Sequence, residues 1–222
     1  GINLMPLVTF AMDVYGDDPC TIFRPKGVDA ETLNPKQSRL VAQMHKAITM
    51  IQFKLEHQII KRRKEFGMED RDLLHLIDKS RGVITINGKD YPLRDRDLQT
   101  LDPANPYELT PEEKVVIEKL THNFEASASL AKHMQLLYSH GALYLVRNSN
   151  LLYHGSVPLN EDGSFKSLEV QGKEYAGKAL FDKIDQVVRQ AYFDTEHSAS
   201  KQYGQDFIWY LWCGPVSPPF DK

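Results

Sequence analysis

The sequence predicts an α+β protein that is mostly helical, with long antiparallel helices and a β-hairpin followed by short strands. Apolar residues recur at helical spacing between residues 40 and 59, and again between residues 116 and 137. Asn87 and Gly88, a pair that tolerates positive φ, lie between two strand-like runs and predict a hairpin near residues 83–93. Beyond residue 141, short apolar runs separated by turn residues replace the helical period.

The composition is that of an ordinary globular domain. Of the 222 residues, 41% are hydrophobic and 26% are charged, and the net charge is -3. This balance provides no general attraction to nucleic acid or to anionic lipid, so neither partner is expected. With only Cys20 and Cys213 and no long apolar run, we expect a soluble, cytoplasmic protein without a disulfide framework.

The first long helix has a capping sequence at its start. Asn34 and Pro35 are typical of an N-cap and a first helical position, and Gln37 completes a capping box. The helix is predicted to run to about Glu65, before Gly67. Its predicted apolar stripe consists of Leu40, Met44, Ile48, Ile51, Leu55 and Ile59. The basic run "KRRKE" at its end complements the helix dipole, and a nucleic-acid or phosphate patch is the alternative interpretation.

The middle of the chain continues this helical region. Residues 71–78 predict a short helix, and the hairpin at 83–93 follows. Thr110 is predicted to cap a second long helix with Glu113 at the capping-box position, ending near Ser139. Its predicted apolar face consists of Val116, Leu120, Phe124, Leu130, Met134 and Leu137. The two long helices are expected to form an antiparallel pair within residues 30–140.

From residue 141 the pattern becomes strand-like. The runs "ALYLVRN" and "NLLYHG" are separated by Asn148, Ser149 and Asn150, which is turn chemistry for adjacent strands. "SLEVQGKEYAG" predicts a further small hairpin, and "KALFDKIDQVVRQAYF" predicts an amphipathic helix. "GQDFIWYLW" then leads into a proline-terminated loop.

One histidine has a context that favours a functional role. His154 follows "NLLY" at the end of a strand that we expect to be buried, and Gly155 allows a ligand or backbone to approach closely. The alternative is a histidine that closes the strand and bonds to a loop carbonyl. The remaining seven histidines lie in predicted helices or polar loops without metal-ligand neighbours, and both cysteines are predicted to be packing residues.

Several segments resemble a known family. "LLYHGSVPLNEDG" looks like the HGG-L-S-P segment of the phosphatase branch of the calcineurin-like metallophosphoesterases, and "YLWCGPVSP" is similar to its LLWSDP segment. The chain is most similar to the class III, Firmicutes-type fructose-1,6-bisphosphatases. That resemblance extends over the whole chain and includes "GINLMPL", "INGKDYPL" and "LTPEEK".

The resemblance implies a function and a fold. It implies hydrolysis of fructose 1,6-bisphosphate to fructose 6-phosphate in gluconeogenesis, at a binuclear divalent-metal centre of the manganese type, with His154 as one ligand. It implies three regions: an N-terminal helix and loop of the core (1–29), a helical insertion (30–140) and part of a metallophosphoesterase β-sandwich core (141–222). A homo-oligomer is a further possible partner state.

The family's other ligand segments are missing. Patterns resembling D-x-H, G-D-x-x-D-R, G-N-H-[DE] and a later G-H do not occur in this chain. The expectation is therefore a central fragment that is inactive alone, which agrees with the apolar and aromatic character of both ends. Two alternatives remain: a non-catalytic helical interaction module, and a phosphoesterase acting on another phosphoester such as a phosphoprotein.

Overall fold

A computed structural model of the chain describes residues 1–27, 32–196 and 198–220. The chain divides into two compact units, one formed by Gly1–Arg62 with Glu69–Leu130 and the other by Arg63–Met68 with Ala131–Lys222. About 52% of the described residues are helical and the small sheets are antiparallel, which confirms the predicted α+β, mostly helical class.

Among the described residues, the first unit combines three α-helices with one small sheet of three antiparallel strands. The elements are α1 (Met5–Tyr15), α2 (Pro35–Arg62), β1 (Ile77–Asp78), β2 (Val83–Ile86), β3 (Lys89–Pro92) and α3 (Pro111–Glu125), with 3-10 turns at Thr21–Phe23, Glu69–Arg71 and Leu74–Leu76.

The predicted hairpin is confirmed and its neighbour is corrected. Asn87 and Gly88 have φ values of 51° and 74° and connect β2 to β3 in a two-residue turn. The short helix predicted at residues 71–78 is wrong, because 3-10 turns there lead into β1, which pairs with β2. The spacing of the apolar residues suits a short helix, but Ile77 and Asp78 pair with β2 instead, and only 3-10 turns form before them.

Helix α1 contacts both long helices of the first unit. It packs against α2 and against α3, so these two helices share one apolar core through it. The buried members of that core are Leu7, Phe10, Ala11, Tyr15, Cys20, Ala42, Ala47, Ile51, Leu109, Val116 and Leu120.

The buried face of α2 differs from the predicted stripe. Of the stripe residues only Ile51 is fully buried, whereas Lys46 and Lys54 are completely enclosed. Lys46 Nζ donates to the carboxylates of Asp18 and Asp95, the latter at 2.8 Å. Buried lysines need such partners because an unpaired charge in a protein interior is costly.

The second buried lysine connects α2 to the start of α3. Lys54 Nζ donates to Glu113 Oε2 at 2.7 Å and to the carbonyl of Thr100 at 2.7 Å. Glu113 Oε2 also accepts from Thr110 N–H at 2.8 Å, while Thr110 Oγ1 accepts from Glu113 N–H at 3.1 Å. The capping box predicted from sequence is therefore confirmed, and its carboxylate also neutralises Lys54.

The continuous helix predicted up to Ser139 is wrong, because the structure divides it into two. Helix α3 ends at Glu125, and a new helix, α4, spans Ala128–His140. The Ser127 hydroxyl accepts a hydrogen bond from Leu130 N–H at 3.3 Å, so Ser127 is the N-cap of α4. Of the expected apolar face, Phe124 on α3 and Leu137 on α4 are 47% and 57% exposed, so this face is only partly buried.

Among its described residues, the second unit contains most of α4, two further helices that pack against each other, and two two-stranded sheets. Its elements after α4 are β4 (Tyr144–Arg147), β5 (Asn150–Tyr153), β6 (Ser167–Val170), β7 (Lys173–Ala176), α5 (Gly177–Phe193) and α6 (Ala199–Cys213), and a 3-10 turn at Lys64–Phe66 also belongs to it. These elements confirm both predicted hairpins and the amphipathic helix. A Cβ added to Gly204 of α6 would lie 2.3 Å from Ala191 Cβ of α5, so the glycine permits this close packing.

Replacing Lys46 by methionine is expected to destabilise the first unit by about 3–5 kcal/mol, because Asp18 would stay buried without its cation. Burial by itself raises the Asp18 pKa, but hydrogen bonds from Lys46 and from Cys20 N–H hold it below its ordinary value. Hydrogen exchange of the α2 amides measures the loss of stability. Lys36→Met at the exposed start of the same helix is the matched control, and equal protection in both variants would contradict the prediction.

Candidate functional site

His154 directly follows a short, regular hairpin. Strands β4 and β5 pair antiparallel from Tyr144 opposite Tyr153 to Arg147 opposite Asn150. Asn148 and Ser149 form the turn with φ values of 50° and 61°. The predicted strand-end position of His154 is therefore confirmed, and its side chain is exposed.

The expectation that β5 is a buried strand is wrong in this structure. Leu145 and Leu152, opposite each other on one face of the hairpin, are 53% and 54% exposed. On the other face Val146 is 62% exposed, although Tyr144 packs edge-on against Phe181 of α5. The apolar run resembles that of a buried strand, but the described chain covers only part of one face.

Gly155 brings together the two segments that carry the strongest resemblance. It has φ +83°, and a Cβ placed on it would lie 2.1 Å from the carbonyl oxygen of Pro218 and 2.8 Å from that of Pro219. Ser156 N–H donates to the same Pro218 oxygen at 2.9 Å. The "HGS" turn therefore lies directly against the "SPP" segment, about sixty residues later.

The loop after this turn closes on itself. Leu159 pairs with Phe165 in an isolated bridge, and Lys166 N–H donates to the carbonyl of Pro158 at 3.0 Å. Asp162 accepts from Ser164 N–H at 2.9 Å and from its hydroxyl at 2.6 Å, and these bonds hold the pKa of Asp162 below its ordinary value. The loop "PLNEDGSFK" is thus a small hairpin with its two ends together.

The "SPP" segment is tied to the end of α6. Gly214 N–H donates to the carbonyl of Tyr210 at 2.6 Å, and the buried Ser217 hydroxyl donates to the carbonyl of Leu211. Burial raises the pKa of the Tyr210 phenol to about 12. These polar groups have structural roles, and they hold the segment against Gly155.

The residues present do not complete a metal centre. Within residues 1–27, 32–196 and 198–220, no three His, Cys, Asp or Glu side chains are close enough together to share a metal ion. A binuclear site needs several ligands from one cluster. His154 presents one exposed imidazole, and the described residues do not place two further side chains of these types close enough to share a metal ion with it.

The other candidates from sequence have ordinary surroundings. Cys20 and Cys213 are both buried, and burial raises the pKa of the Cys20 thiol to about 12. His122, His133 and His140 lie exposed on helices, and His45 approaches the carbonyl of Phe23. His197 lies outside the described residues.

Sequence reasoning missed one polar cluster in the first unit. His57 Nδ1 donates to the Asp72 carboxylate at 2.9 Å, and the His57 ring stacks on Tyr107 with centroids 3.7 Å apart. The Tyr107 hydroxyl lies 2.5 Å from His75 Nδ1. The members come from three separate segments at irregular spacing, so no local motif could have predicted their proximity.

No helix among the described residues is both long enough and apolar enough to cross a lipid bilayer.

Comparisons with known proteins identify close relatives. The family model described as Firmicute fructose-1,6-bisphosphatase matches residues 1–222. The chain is 61% identical to the class 3 fructose-1,6-bisphosphatase of Bacteroides fragilis, and 59% identical to that of Bacteroides thetaiotaomicron, over 223 residues in each case. It is 53% identical to the class 3 enzyme of Clostridium tetani over 222 residues.

These matches cover all of this chain but only part of each relative. The chain spans 34% of the two Bacteroides proteins and 33% of the Clostridium protein. It thus corresponds to about a third of the length of the curated relatives that it matches. No solved structure matches the chain.

Replacing Gly155 by alanine is expected to destabilise the second unit by about 2–4 kcal/mol, because the new Cβ would combine a strained φ with a clash against Pro218. Urea unfolding followed by tryptophan fluorescence measures this, since Trp209 and Trp212 both lie in α6. Gly163→Ala is the control, because Gly163 has φ +81° but open space around it. Equal losses in the two variants would show that the close approach is unimportant.

Proposed function

The chain belongs to the Firmicute fructose-1,6-bisphosphatase family, and from this membership we propose that the full-length protein containing it hydrolyses fructose 1,6-bisphosphate to fructose 6-phosphate and phosphate. The observation that carries the proposal is the match over the whole chain, with relatives of that name up to 61% identical. The reaction would serve gluconeogenesis.

His154 is proposed as one ligand of a divalent-metal centre, with manganese as the expected metal. Three features support this role: the imidazole is exposed, it follows the end of a strand, and Gly155 leaves no side chain beside it. Imidazole is a suitable ligand for first-row divalent metals. The other ligands would come from the part of the full-length protein outside this chain.

Residues 141–222 are proposed to form part of a metallophosphoesterase core. The support is the exposed β4–β5 hairpin, since an isolated two-stranded hairpin with apolar residues on both faces is marginal in water. Beyond the matched part, the relatives contain about twice the length of this chain, which is enough to supply strands that cover the hairpin. Residues 1–29 would add a helix and loop to that core, and residues 30–140 would form an insertion beside it.

The alternatives from sequence are less favoured. A non-catalytic helical interaction module would not explain why relatives that match the entire chain carry the name of one enzyme. A phosphoesterase with another substrate would use the same hydrolytic chemistry, so only an activity assay distinguishes it from the proposed function. Cytoplasmic location and a homo-oligomeric state are kept as proposals, the first supported by two buried cysteines that form no disulfide among the described residues.

The decisive assay is phosphate release from fructose 1,6-bisphosphate by the purified full-length protein with manganese. His154→Ala is expected to lower turnover and bound metal together, because one ligand is lost. His133→Ala, at an exposed helical position, is the matched control.

Absence of turnover by the wild-type protein would overturn the proposed activity, and a His154→Ala protein with normal metal content would remove this residue from the ligand set. The 222-residue chain alone is expected to release no phosphate, because residues 1–27, 32–196 and 198–220 contain no complete metal centre.

Leu152→Glu tests the proposed core. In the 222-residue chain the change should cost within about 0.5 kcal/mol, because the side chain is exposed. In the full-length protein it should cost several kcal/mol, about 2–5, because a carboxylate would be buried without a partner. The same substitution in the two chain lengths is its own control. Similar small losses of unfolding free energy in both would refute burial of the hairpin.

A further inference from the structure

A small cleft separates the loop after β5 from the "SPP" segment. One wall consists of Ser156, Val157, Pro158, Leu159 and Lys166, and the other of Pro215, Val216 and Ser217. We propose that this Lys166 cleft binds the phosphate that is not cleaved, the 6-phosphate of fructose 1,6-bisphosphate. The inference rests on the proposed function, and it makes Lys166 a residue that determines specificity.

The first argument is the chemistry of the lining. Among the described residues that line the cleft, Lys166 is the one that carries a charge, and Ser156 adds a hydroxyl donor. Within the described part of the chain, neither the Lys166 ammonium nor the Ser156 hydroxyl has a hydrogen-bond or ion-pair partner. An ammonium beside a hydroxyl donor suits a phosphate dianion, because charge-assisted hydrogen bonds are the strong ones.

The second argument is that both walls are held in place. The backbone of Lys166 is bonded to Pro158, and the small hairpin between them is closed by the Leu159–Phe165 bridge. The opposite wall is tied to the first by Ser156 N–H, which donates to Pro218. The position from which the lysine side chain extends is therefore defined before a ligand arrives, which lowers the cost of binding.

The third argument is size. The cleft has a volume of about 230 Å³. Pockets that enclose a whole drug-sized ligand are usually about 300–1,000 Å³. The cleft is therefore suited to one group of a larger ligand, such as a single phosphate, with the sugar extending outwards.

The fourth argument separates this phosphate from the one that reacts. None of the described residues that line the cleft is a His, Cys, Asp or Glu, so these residues provide no ligand set for a metal. It is nevertheless close to His154, because two residues of extended chain from His154 to Ser156 span at most about 7 Å. One substrate could thus place its reacting phosphate near His154 and its other phosphate near Lys166. Binding energy from such a remote group supports selection of a bisphosphate over a monophosphate.

The test uses fructose 6-phosphate, which carries only the phosphate that remains, and the full-length holoenzyme. Calorimetry is expected to show that Lys166→Met weakens binding of fructose 6-phosphate by about tenfold or more, because one charged hydrogen bond is lost. Lys166→Arg, which keeps the charge, should bind within about threefold of wild type. Lys173→Met, an exposed lysine on β7, is the matched control and should leave binding unchanged.

Kinetics supply a second readout. Lys166→Met should raise KM for fructose 1,6-bisphosphate by about tenfold, while kcat/KM for an aryl phosphate with a single phosphate should stay at the wild-type value. A variant that loses activity equally on both substrates, or on neither, would overturn the role of Lys166. So would unchanged binding of fructose 6-phosphate by Lys166→Met, or no binding by wild type.

The binding experiment does not depend on turnover. If the wild-type protein binds fructose 6-phosphate through Lys166 but does not hydrolyse fructose 1,6-bisphosphate, the proposed function fails while the cleft assignment stands. If hydrolysis is present and Lys166→Met is neutral in both experiments, the proposed function stands and the cleft assignment fails.

Discussion

The backbone contact between Gly155 and Pro218 is the constraint on which the arrangement of the candidate site depends. It leaves no space for a Cβ, and it is reinforced by the hydrogen bond from Ser156 N–H to the Pro218 carbonyl. Through this contact, a turn that follows a hairpin and a segment that follows a helix become two walls of one cleft. The two segments are distant in the sequence, and they form one cleft only because this contact brings them together.

The first unit depends on a different kind of interaction. Its longest helix buries two lysines, and each is neutralised by carboxylates from distant segments. Such pairs contribute little net stability compared with apolar packing, but they penalise any arrangement that separates them. Glu113 has two roles, because its carboxylate caps α3 and also pairs with Lys54 of α2.

The exposed hairpin β4–β5 places these features in a larger context. Its side chains have the composition of interior strands, yet within the described residues one face is exposed and the other is only partly covered. A chain that corresponds to about a third of its relatives' length is consistent with strands that are completed by other parts of the protein. His154 and the Lys166 cleft both adjoin this hairpin, so a complete site would be assembled where the covering chain meets it.

The sequence alone determined the local elements whose cause is local. The capping box at Thr110, the turn at Asn87 and Gly88, the end of β5 at Tyr153 and the amphipathic helix α5 all follow from short-range propensity and periodicity. The family resemblance also follows from the sequence alone, through segments such as "LLYHGSVPLNEDG" and "YLWCGPVSP".

Only the tertiary structure decided which charges are buried, where the second long helix breaks and which loops meet. Lys46 and Lys54 are buried although they lie outside the predicted apolar stripe. The spacing of residues along a helix cannot reveal the remote segments that supply their partners. Ser127 interrupts a helix whose apolar period continues past it. The approach of Gly155 to Pro218 spans about sixty residues, and a contact of that range is set by packing of the whole unit, which no local pattern records.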